Sequence, residues 1–331
     1  MISIREVAKL AGVSPATVSR VMNGTARVDP EKAKRVMEVV SQTDFVPNEV
    51  ARSLFKKSAK MIGLIIPSIR NPFFTQMASQ IDEAAQRQGY RVFLCEVGSG
   101  DLERERAALQ MLVSMNADGV ILASTNDAIQ PYVEQCRLPV VALDARIGSD
   151  AARAYLCCDD YQGGRMAAEY MLEQGCRRLV CIKGSQSIQS ARARYEGYRD
   201  VCAERGVTER TVECDYDFDT GLAMTEQLLQ AFPDVDGIIA CNDIVAISTY
   251  KILHKRKISV PDQIQLIGFD DINLATLMSP ELTTIRQPIC EMAEKAVALI
   301  IDKEENDKKG ERFVFPVTIC ERETTKQQKG A

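Results

Sequence analysis

The sequence has no tryptophan, a single histidine, His254, and no long apolar run. A helix that crosses a membrane needs about 18 or more consecutive apolar residues, and no such stretch occurs in the 331 residues. The N-terminus is polar and begins a helical pattern at once, without the apolar core of a signal peptide. We therefore expect a cytoplasmic protein with no membrane partner.

The eleven cysteines are scattered singly, except for Cys157-Cys158, and no C-x-x-C pair is present. His254 alone cannot complete a zinc-ligand pattern with them, so we expect reduced, mostly buried thiols and no metal. No G-x-G-x-x-G motif follows the first predicted strand, which argues against a dinucleotide site. Because no pair of nucleophile and base is evident either, we expect no cofactor and no enzyme activity.

The first 23 residues carry the pattern of two helices joined by a tight turn. Gly12 permits the turn, and Ser14 followed by Pro15 is typical of a helix start. One face of the first helix is apolar, formed by Ile4, Val7, Ala8 and Ala11. This is a helix-turn-helix pattern, in which the second helix enters the major groove of DNA.

The second helix would present Pro15, Ala16 and Arg20 outward, and the Arg20 guanidinium can meet two acceptors on a guanine edge. The alternative is two short surface helices separated by a glycine. Charge favours DNA, because residues 1–60 hold 11 basic and 6 acidic residues, whereas the remainder holds 30 and 40. A basic head on an acidic chain is the pattern expected for phosphate contact.

A third helix is predicted after the cap Asp29-Pro30, and its apolar residues would close a three-helix core. These residues are Ala33, Val36, Met37 and Val40. Residues 45–47 then interrupt the pattern, and Asn48 fits the N-cap of one more short helix. We predict a DNA-binding domain over 1–47, a hinge helix and linker over 48–60, and a regulatory core over 61–331.

From Lys60 onward, apolar strand-like runs alternate with helical stretches, which is the pattern of doubly wound parallel sheets. The predicted strands are Ile62–Ile66, Val92–Cys95, Gly119–Ala123, Val140–Leu143, Tyr155–Cys158, Leu179–Ile182, Thr211–Cys214, Gly237–Ala240 and Gln265–Gly268. The predicted helices lie near 73–89, 102–115, 128–137, 161–174, 192–205, 220–231 and 243–256. Two similar segments, Ala117–Ala123 and Val235–Cys241, occupy corresponding places and predict two α/β lobes.

Ligands of doubly wound sheets bind beyond the carboxyl ends of the strands, and here those loops suit a sugar. Carboxylate, amide and guanidinium groups match vicinal hydroxyls, and aromatic faces cover the apolar faces of a sugar ring. The candidates are Asn71, Phe73, Phe74, Ser124, Asp144, Arg146, Arg194, Phe218, Asn242, Asp270 and Gln287. Asn242 also fits a helix cap, and Phe74 also fits core packing.

Five stretches of the N-terminal region match a known pattern: Ile4–Ala8, Val13-Ser14, Thr17–Asn23, Val46–Asn48 and Ala51–Leu54. In these the chain resembles the DNA-binding head of the LacI/GalR family of bacterial repressors. The resemblance implies a hinge helix that forms on the operator, with Leu54 wedged into the minor groove. It implies DNA contacts by Ser14, Pro15, Ala16, Thr17, Ser19, Arg20, Asn23, Asn48, Ala51, Leu54 and Phe55. Phe55 stands where some relatives carry lysine, so the contacts of the hinge with the groove would differ.

The resemblance extends over the rest of the chain and implies a periplasmic-binding-protein-like fold, with three crossovers between two lobes around a sugar cleft. The N-lobe would span about 61–158 and 291–319, and the C-lobe about 159–290 and 320–331. The eleven candidate ligand residues resemble the sugar contacts of ribose-binding proteins and of ribose-responsive family members. Ala145 separates Asp144 from Arg146, where the pattern has an adjacent Asp-Arg pair.

The hypothesis is a homodimeric repressor on a palindromic operator of double-stranded DNA, nucleoid-associated when bound. A pentose, D-ribose first, would act as inducer, so that operator and sugar weaken each other's binding. Two alternatives remain open. One is the same scaffold gated by a partner protein, as in catabolite control, against which a polar cleft argues. The other is an enzyme that acts on a sugar or a nucleoside, for which the sequence shows no recognisable catalytic group.

Overall fold

The computed structural model describes residues 2–23, 27–43, 45, 58–124, 126–144, 151–302 and 310–326. The chain divides into two units, Met1–Ala59 and Lys60–Ala331. Five residues predicted to contact DNA or ligand lie outside the described residues: Asn48, Ala51, Leu54, Phe55 and Arg146. Within the described ranges, no helix is both long and apolar enough to cross a membrane.

The described part of the first unit contains three helices, α1 (Ile4–Ala11), α2 (Pro15–Asn23) and α3 (Pro30–Thr43). Ser3 caps α1, and its backbone amide donates to the Glu6 carboxylate at 2.7 Å, which closes a capping box. Gly12 ends the helix with a φ of 65°, a left-handed conformation that favours glycine. Local capping therefore sets both ends of α1.

The core of the first unit is a cluster of buried apolar residues: Val7, Ala8, Ala11, Val18, Val36 and Phe45. The prediction was wrong for two residues that the apolar pattern placed on the inner faces of the helices. Met37 is 51% exposed, because Val36 takes the inward position of α3 and the next residue points about 100° away. Ile4 is 37% exposed, because only the later turns of α1 pack against the other helices.

The second unit is built from two six-stranded sheets. The first has the order β11-β5-β4-β3-β1-β2 and is parallel throughout. Its elements are β1 (Met61–Ile66), α4 (Pro72–Arg87), β2 (Arg91–Glu96), α5 (Leu102–Ser114), β3 (Gly119–Leu122), α6 (Gln130–Glu134), β4 (Val140–Leu143), β5 (Ala154–Cys158), α11 (Ile289–Ile301) and β11 (Glu311–Phe315).

The second sheet has the order β12-β10-β9-β8-β6-β7, in which only the β10–β12 pair is antiparallel. Its elements are α7 (Asp160–Glu173), β6 (Leu179–Lys183), α8 (Gln189–Arg205), β7 (Thr211–Glu213), α9 (Phe218–Ala231), β8 (Gly237–Ala240), α10 (Asp243–Lys255), β9 (Gln265–Asp270), β10 (Thr283–Arg286) and β12 (Thr318–Cys320). The predicted fold class, a helix-turn-helix head on a two-lobed α/β core, is confirmed.

All nine predicted strands are present, and their ends differ from the prediction by at most two residues. The pattern missed α11 and the strands β10, β11 and β12. Strand β10 is Thr283-Thr284-Ile285-Arg286, which lacks an apolar run although its first three residues are buried. Strand β11 lies at the edge of its sheet and is largely exposed, so it carries no strong apolar signal either.

The described chain passes between the two sheets at three places, after β5, after β10 and after β11. The last crossing comes earlier than the expected boundary near residue 319. Because β12 begins at Thr318 and pairs with β10, residues 318–319 belong to the second sheet. Three candidate ligand residues, Asp144, Asp270 and Gln287, lie at the carboxyl ends of β4, β9 and β10, where ligands of such sheets bind.

Candidate functional site

Helix α2 has the start and the exposed face that are expected of a recognition helix. The Ser14 hydroxyl accepts a hydrogen bond from the Thr17 backbone amide at 3.2 Å, and Pro15 opens the helix. Pro15, Ala16 and Arg20 are exposed, whereas Val18 is buried. The predicted cap and the predicted outward face are therefore present. Ser19 and Thr17 are half-buried.

In the regulatory unit, Arg194 of α8 lies at the centre of the candidate ligand site. Its side chain is 11% exposed, and its Nε donates to Asp160 Oδ1 at 2.7 Å. Its Nη1 donates to the Cys241 carbonyl oxygen at 3.0 Å and lies 3.6 Å from Asp270 Oδ1. The guanidinium also stacks 3.6 Å from the centre of the Phe269 ring, so α7, α8 and the ends of β8 and β9 converge on one cation.

The charges around Arg194 hold it as a cation. Burial disfavours its charged form, but the acidic side chains of Asp160, Asp270 and Asp144 together raise the Arg194 pKa above its ordinary value. Burial raises the pKa of Asp270, and Arg194 and Gln287 partly oppose that rise. Enclosure by protein atoms, with Asp160 nearby, also raises the pKa of Asp144, although this residue keeps access to solvent.

Gln287 joins the same group from the second crossing between the lobes. Its Nε2 donates to Asp270 Oδ1 at 2.7 Å, and both side chains are buried. Asp144, at the end of β4, has a φ of 51° and interacts electrostatically with Arg194 and Asp270. The structure therefore brings together four of the predicted ligand residues: Asp144, Arg194, Asp270 and Gln287.

Asn242, next to Cys241, can serve both as a helix cap and as a ligand contact. Its Oδ1 accepts from the Val245 backbone amide at 2.9 Å and so caps α10. Its Nδ2 is buried and has no hydrogen-bond partner among the described residues. A buried amide donor without a partner costs about 1–3 kcal/mol, which marks Nδ2 as a group that a ligand can satisfy.

Tyr216 is a site residue that the sequence reasoning missed. Its hydroxyl is buried without a hydrogen-bond partner in the described part of the chain, and it interacts electrostatically with Arg194. Burial raises the Tyr216 pKa well above its ordinary value, so the hydroxyl stays neutral and can donate. Tyr216 lies in the same strand-end loop as Phe218, so the rule that selected Phe218 could have found it. Asp160, two residues after β5 at the start of α7, was missed in the same way.

The other candidates have partners of their own. Asn71 caps α4 by accepting from the Phe73 amide at 3.0 Å, and Phe73 is buried in the core. Phe74 is half-buried and meets Phe73 edge to face, with 5.3 Å between ring centres. The Ser124 hydroxyl donates to the Glu105 carboxylate at 2.5 Å, inside the first lobe. Phe218 opens α9, half-buried, with Lys251 Nζ 5.1 Å from its ring centre.

A cavity of about 340 Å³ lies between residues of both lobes, and Asp144 and Asp160, which interact with Arg194, line it although Arg194 itself does not. Asp144 and Cys158 line it from the first lobe, and Asp160 and Ser190 line it from the second. This volume lies within the range of about 300–1,000 Å³ that is usual for small-molecule sites. Among the described residues, no group of three or more His, Cys, Asp or Glu side chains could hold a metal ion. The arrangement suits a small polar molecule.

The fold and the site define a two-lobed ligand-binding protein with a helix-turn-helix head. Residues 3–48 match the model of bacterial regulatory proteins of the lacI family, and residues 168–325 match that of a periplasmic binding protein-like domain. The chain is 38% identical to the ribose operon repressor of Halalkalibacterium halodurans over 98% of both chains.

Two solved structures resemble the regulatory unit. A LacI-type regulator of Alkaliphilus metalliredigens complexed with D-xylulofuranose is 35% identical, with a TM-score of 0.74 over 81% of this chain and all of that one. A LacI-family regulator of Enterococcus faecium with bound ribose is 26% identical, with a TM-score of 0.71 over 80% of this chain and 98% of that one. The chain belongs to the LacI family of bacterial regulatory proteins. It is a DNA-binding transcriptional repressor, not an enzyme.

Proposed function

We propose that this repressor is gated by a pentose, D-ribose first, which binds between the lobes beside Arg194 and releases the protein from its operator. The observation that carries the proposal is the pair of buried, unpartnered donors, Asn242 Nδ2 and the Tyr216 hydroxyl, next to that guanidinium. Sugar hydroxyls accept and donate at once, so one ligand can satisfy both donors and also bind the carboxylates of Asp144 and Asp270.

The charge balance of the site favours an unphosphorylated sugar. The acidic side chains of Asp144, Asp160 and Asp270 act electrostatically on the Arg194 guanidinium. Among the described residues that line the cavity, Asp144, Asp159 and Asp160 outnumber the one cation, Arg312. A phosphate group here would meet like charge, whereas a neutral polyol would not. The ribose operon repressor at 38% identity and the ribose-bound structure support D-ribose, and the D-xylulose-bound structure makes D-xylulose the second candidate.

The same proposal includes the DNA contacts of the helix-turn-helix head. Arg20 and its neighbours Ser14, Pro15, Ala16, Thr17, Ser19 and Asn23 would contact a half-site, and two heads of a homodimer would span a palindrome. Sugar closing the cleft would shift the two first lobes relative to each other and destabilise the paired hinge segments. Operator and pentose then weaken each other's binding by the same factor.

Calorimetric titration of the purified full-length protein tests the choice of effector. D-ribose, D-xylulose, ribose 5-phosphate and sucrose are compared under one buffer condition. The proposal expects heat from an unphosphorylated pentose at one site per chain and none from ribose 5-phosphate. Binding of the phosphorylated sugar or of sucrose with no response to either pentose would rule it out.

Replacing Tyr216 with phenylalanine should have opposite effects on stability and on ligand binding. Removing an unpartnered buried hydroxyl should raise the free energy of unfolding by about 1 kcal/mol, whereas loss of its bond to the pentose should weaken binding about fivefold. Urea unfolding and calorimetry measure the two quantities. A variant that is destabilised while it binds normally would show that the hydroxyl serves the fold.

We propose that the surface at Leu277 contacts the second copy of the chain. Leu277 is 77% exposed and Leu274, three residues earlier in the same short turn, is 38% exposed, and adjoining apolar side chains at the surface can mark an interface. We expect Leu277→Asp to weaken dimerisation at least about tenfold, as measured by sedimentation equilibrium. Leu10→Asp, at a site 61% exposed in the head, is the matched control. Equal dimerisation of both variants would remove Leu277 from the interface.

A further inference from the structure

Cys158 lines the cavity between the lobes and is one of eleven free thiols in the chain. It is the last residue of β5, at the first crossing between the lobes, and it is 5% exposed. Its Sγ lies 3.1 Å from Gln287 Oε1 and 3.5 Å from Met292 Sδ. This buried sulfur thus has a polar partner that belongs to the ligand site.

The Cys158 sulfur acts as a hydrogen-bond donor. Burial, with a further contribution from Asp160 and Asp144, raises the pKa of its thiol far above the ordinary value, so the proton stays on sulfur. The Gln287 amide oxygen can only accept. The contact is therefore an S–H donating to the amide oxygen, and the direction of this bond is set by chemistry.

That bond and the bond to Asp270 hold the Gln287 amide in one orientation. With its oxygen on Cys158, its Nε2 donates to Asp270 Oδ1 at 2.7 Å. Rotation of the amide by half a turn would place its oxygen against the carboxylate oxygen and its NH₂ group against the thiol. Two acceptors would then face each other. The Asp270 carboxylate and the Cys158 thiol therefore favour the same orientation, in which Gln287 supports Asp270 beside Arg194.

We propose that Cys158 is a positioning residue of the effector site, whose thiol holds Gln287, and through it Asp270, in the geometry that receives the sugar. Cys158 and Gln287 lie at two different crossings between the lobes, so the same bond also ties these two segments together. The inference rests on the proposed function for its ligand, although the orientation of the amide can be measured without one.

Full-length Cys158→Ala and Cys158→Ser test the role in parallel with Cys95→Ala. Cys95 is a buried thiol in the first lobe, within a separate apolar cluster, and controls for the loss of a buried sulfur. In calorimetry with D-ribose and D-xylulose, Cys158→Ala should bind about three- to tenfold more weakly than the parent. Cys158→Ser keeps a donor and should bind within about twofold of the parent, as should Cys95→Ala.

The ligand-free measurement is the side-chain amide signal of Gln287 in ¹⁵N-glutamine-labelled protein, assigned by its loss in Gln287→Met. Its protons should exchange slowly in the parent and in Cys158→Ser, and much faster in Cys158→Ala. If the serine variant behaves like the alanine variant, or the amide signal is the same in all three proteins, Cys158 does not position Gln287. If the amide responds as expected and no pentose binds the parent, the positioning role stands and the choice of effector fails.

Discussion

Arg194→Ala should abolish the response to pentose and destabilise the regulatory unit. The substitution leaves the buried carboxylates of Asp160 and Asp270 without their cation, and breaking one side of a buried ion pair costs about 3–5 kcal/mol. Loss of the bonds to sugar hydroxyls should weaken pentose binding at least about tenfold. Urea unfolding and calorimetry measure these effects separately.

Arg192→Ala is the matched control, because it removes the same charge from the same helix two residues away, at a half-buried position. We expect it to change stability by less than about 1 kcal/mol and to leave pentose binding intact. Operator binding without sugar should survive in both variants that remain folded. If Arg194→Ala binds pentose like the control, Arg194 is a structural ion pair and the site lies elsewhere.

Gly164→Ala should be the most destabilising single-methyl change in the second lobe. A Cβ at Gly164 in α7 would lie 1.9 Å from the carbonyl oxygen of Arg194, and a Cβ at Gly197 in α8 would lie 2.2 Å from the carbonyl oxygen of Tyr161. The two helices therefore touch backbone to backbone, and α8 must move to admit a methyl group. We expect a loss of about 3 kcal/mol in the free energy of unfolding, measured in urea.

The control for this prediction is Gly221→Ala in α9. There the added Cβ would meet the hydroxyl of Ser248, a side-chain end, and not a backbone carbonyl. We expect a smaller loss of stability and normal pentose binding. Any Gly164→Ala protein that folds should bind pentose weakly, because Arg194 moves with α8. Normal stability and normal binding in that variant would contradict the close packing of α7 on α8.

Sequence reasoning correctly located the site residues that lie at the ends of buried strands. Asp144, Asp270 and Gln287 follow or end buried strands, and parallel strands bring such residues to one edge of a sheet. Arg194 was selected by the same strand-end argument and by the resemblance, although the structure places it within α8 and not in a loop. The alternating apolar runs likewise predicted the nine strands, because buried parallel strands need continuous apolar residues.

The residues that sequence reasoning misplaced depend on partners distant in the chain. Ser124 follows a strand like the others, yet its hydroxyl is held by Glu105 of α5, a pairing that only the packed lobe creates. Strand β12 is three residues long and is defined by its partner β10, so the pattern could not assign it to the second sheet. The unpartnered Tyr216 hydroxyl is visible only once its surroundings are known.

The most direct test is the operator affinity of the full-length protein with and without pentose. DNA fragments that the purified protein selects from the genome of its source supply the operator, and fluorescence anisotropy gives the dissociation constant. Saturating D-ribose or D-xylulose should weaken operator binding by about 5- to 150-fold in the parent, and it should have no effect in a folded Arg194 variant. Unchanged or tighter operator binding with pentose bound to the parent would contradict induction by a pentose.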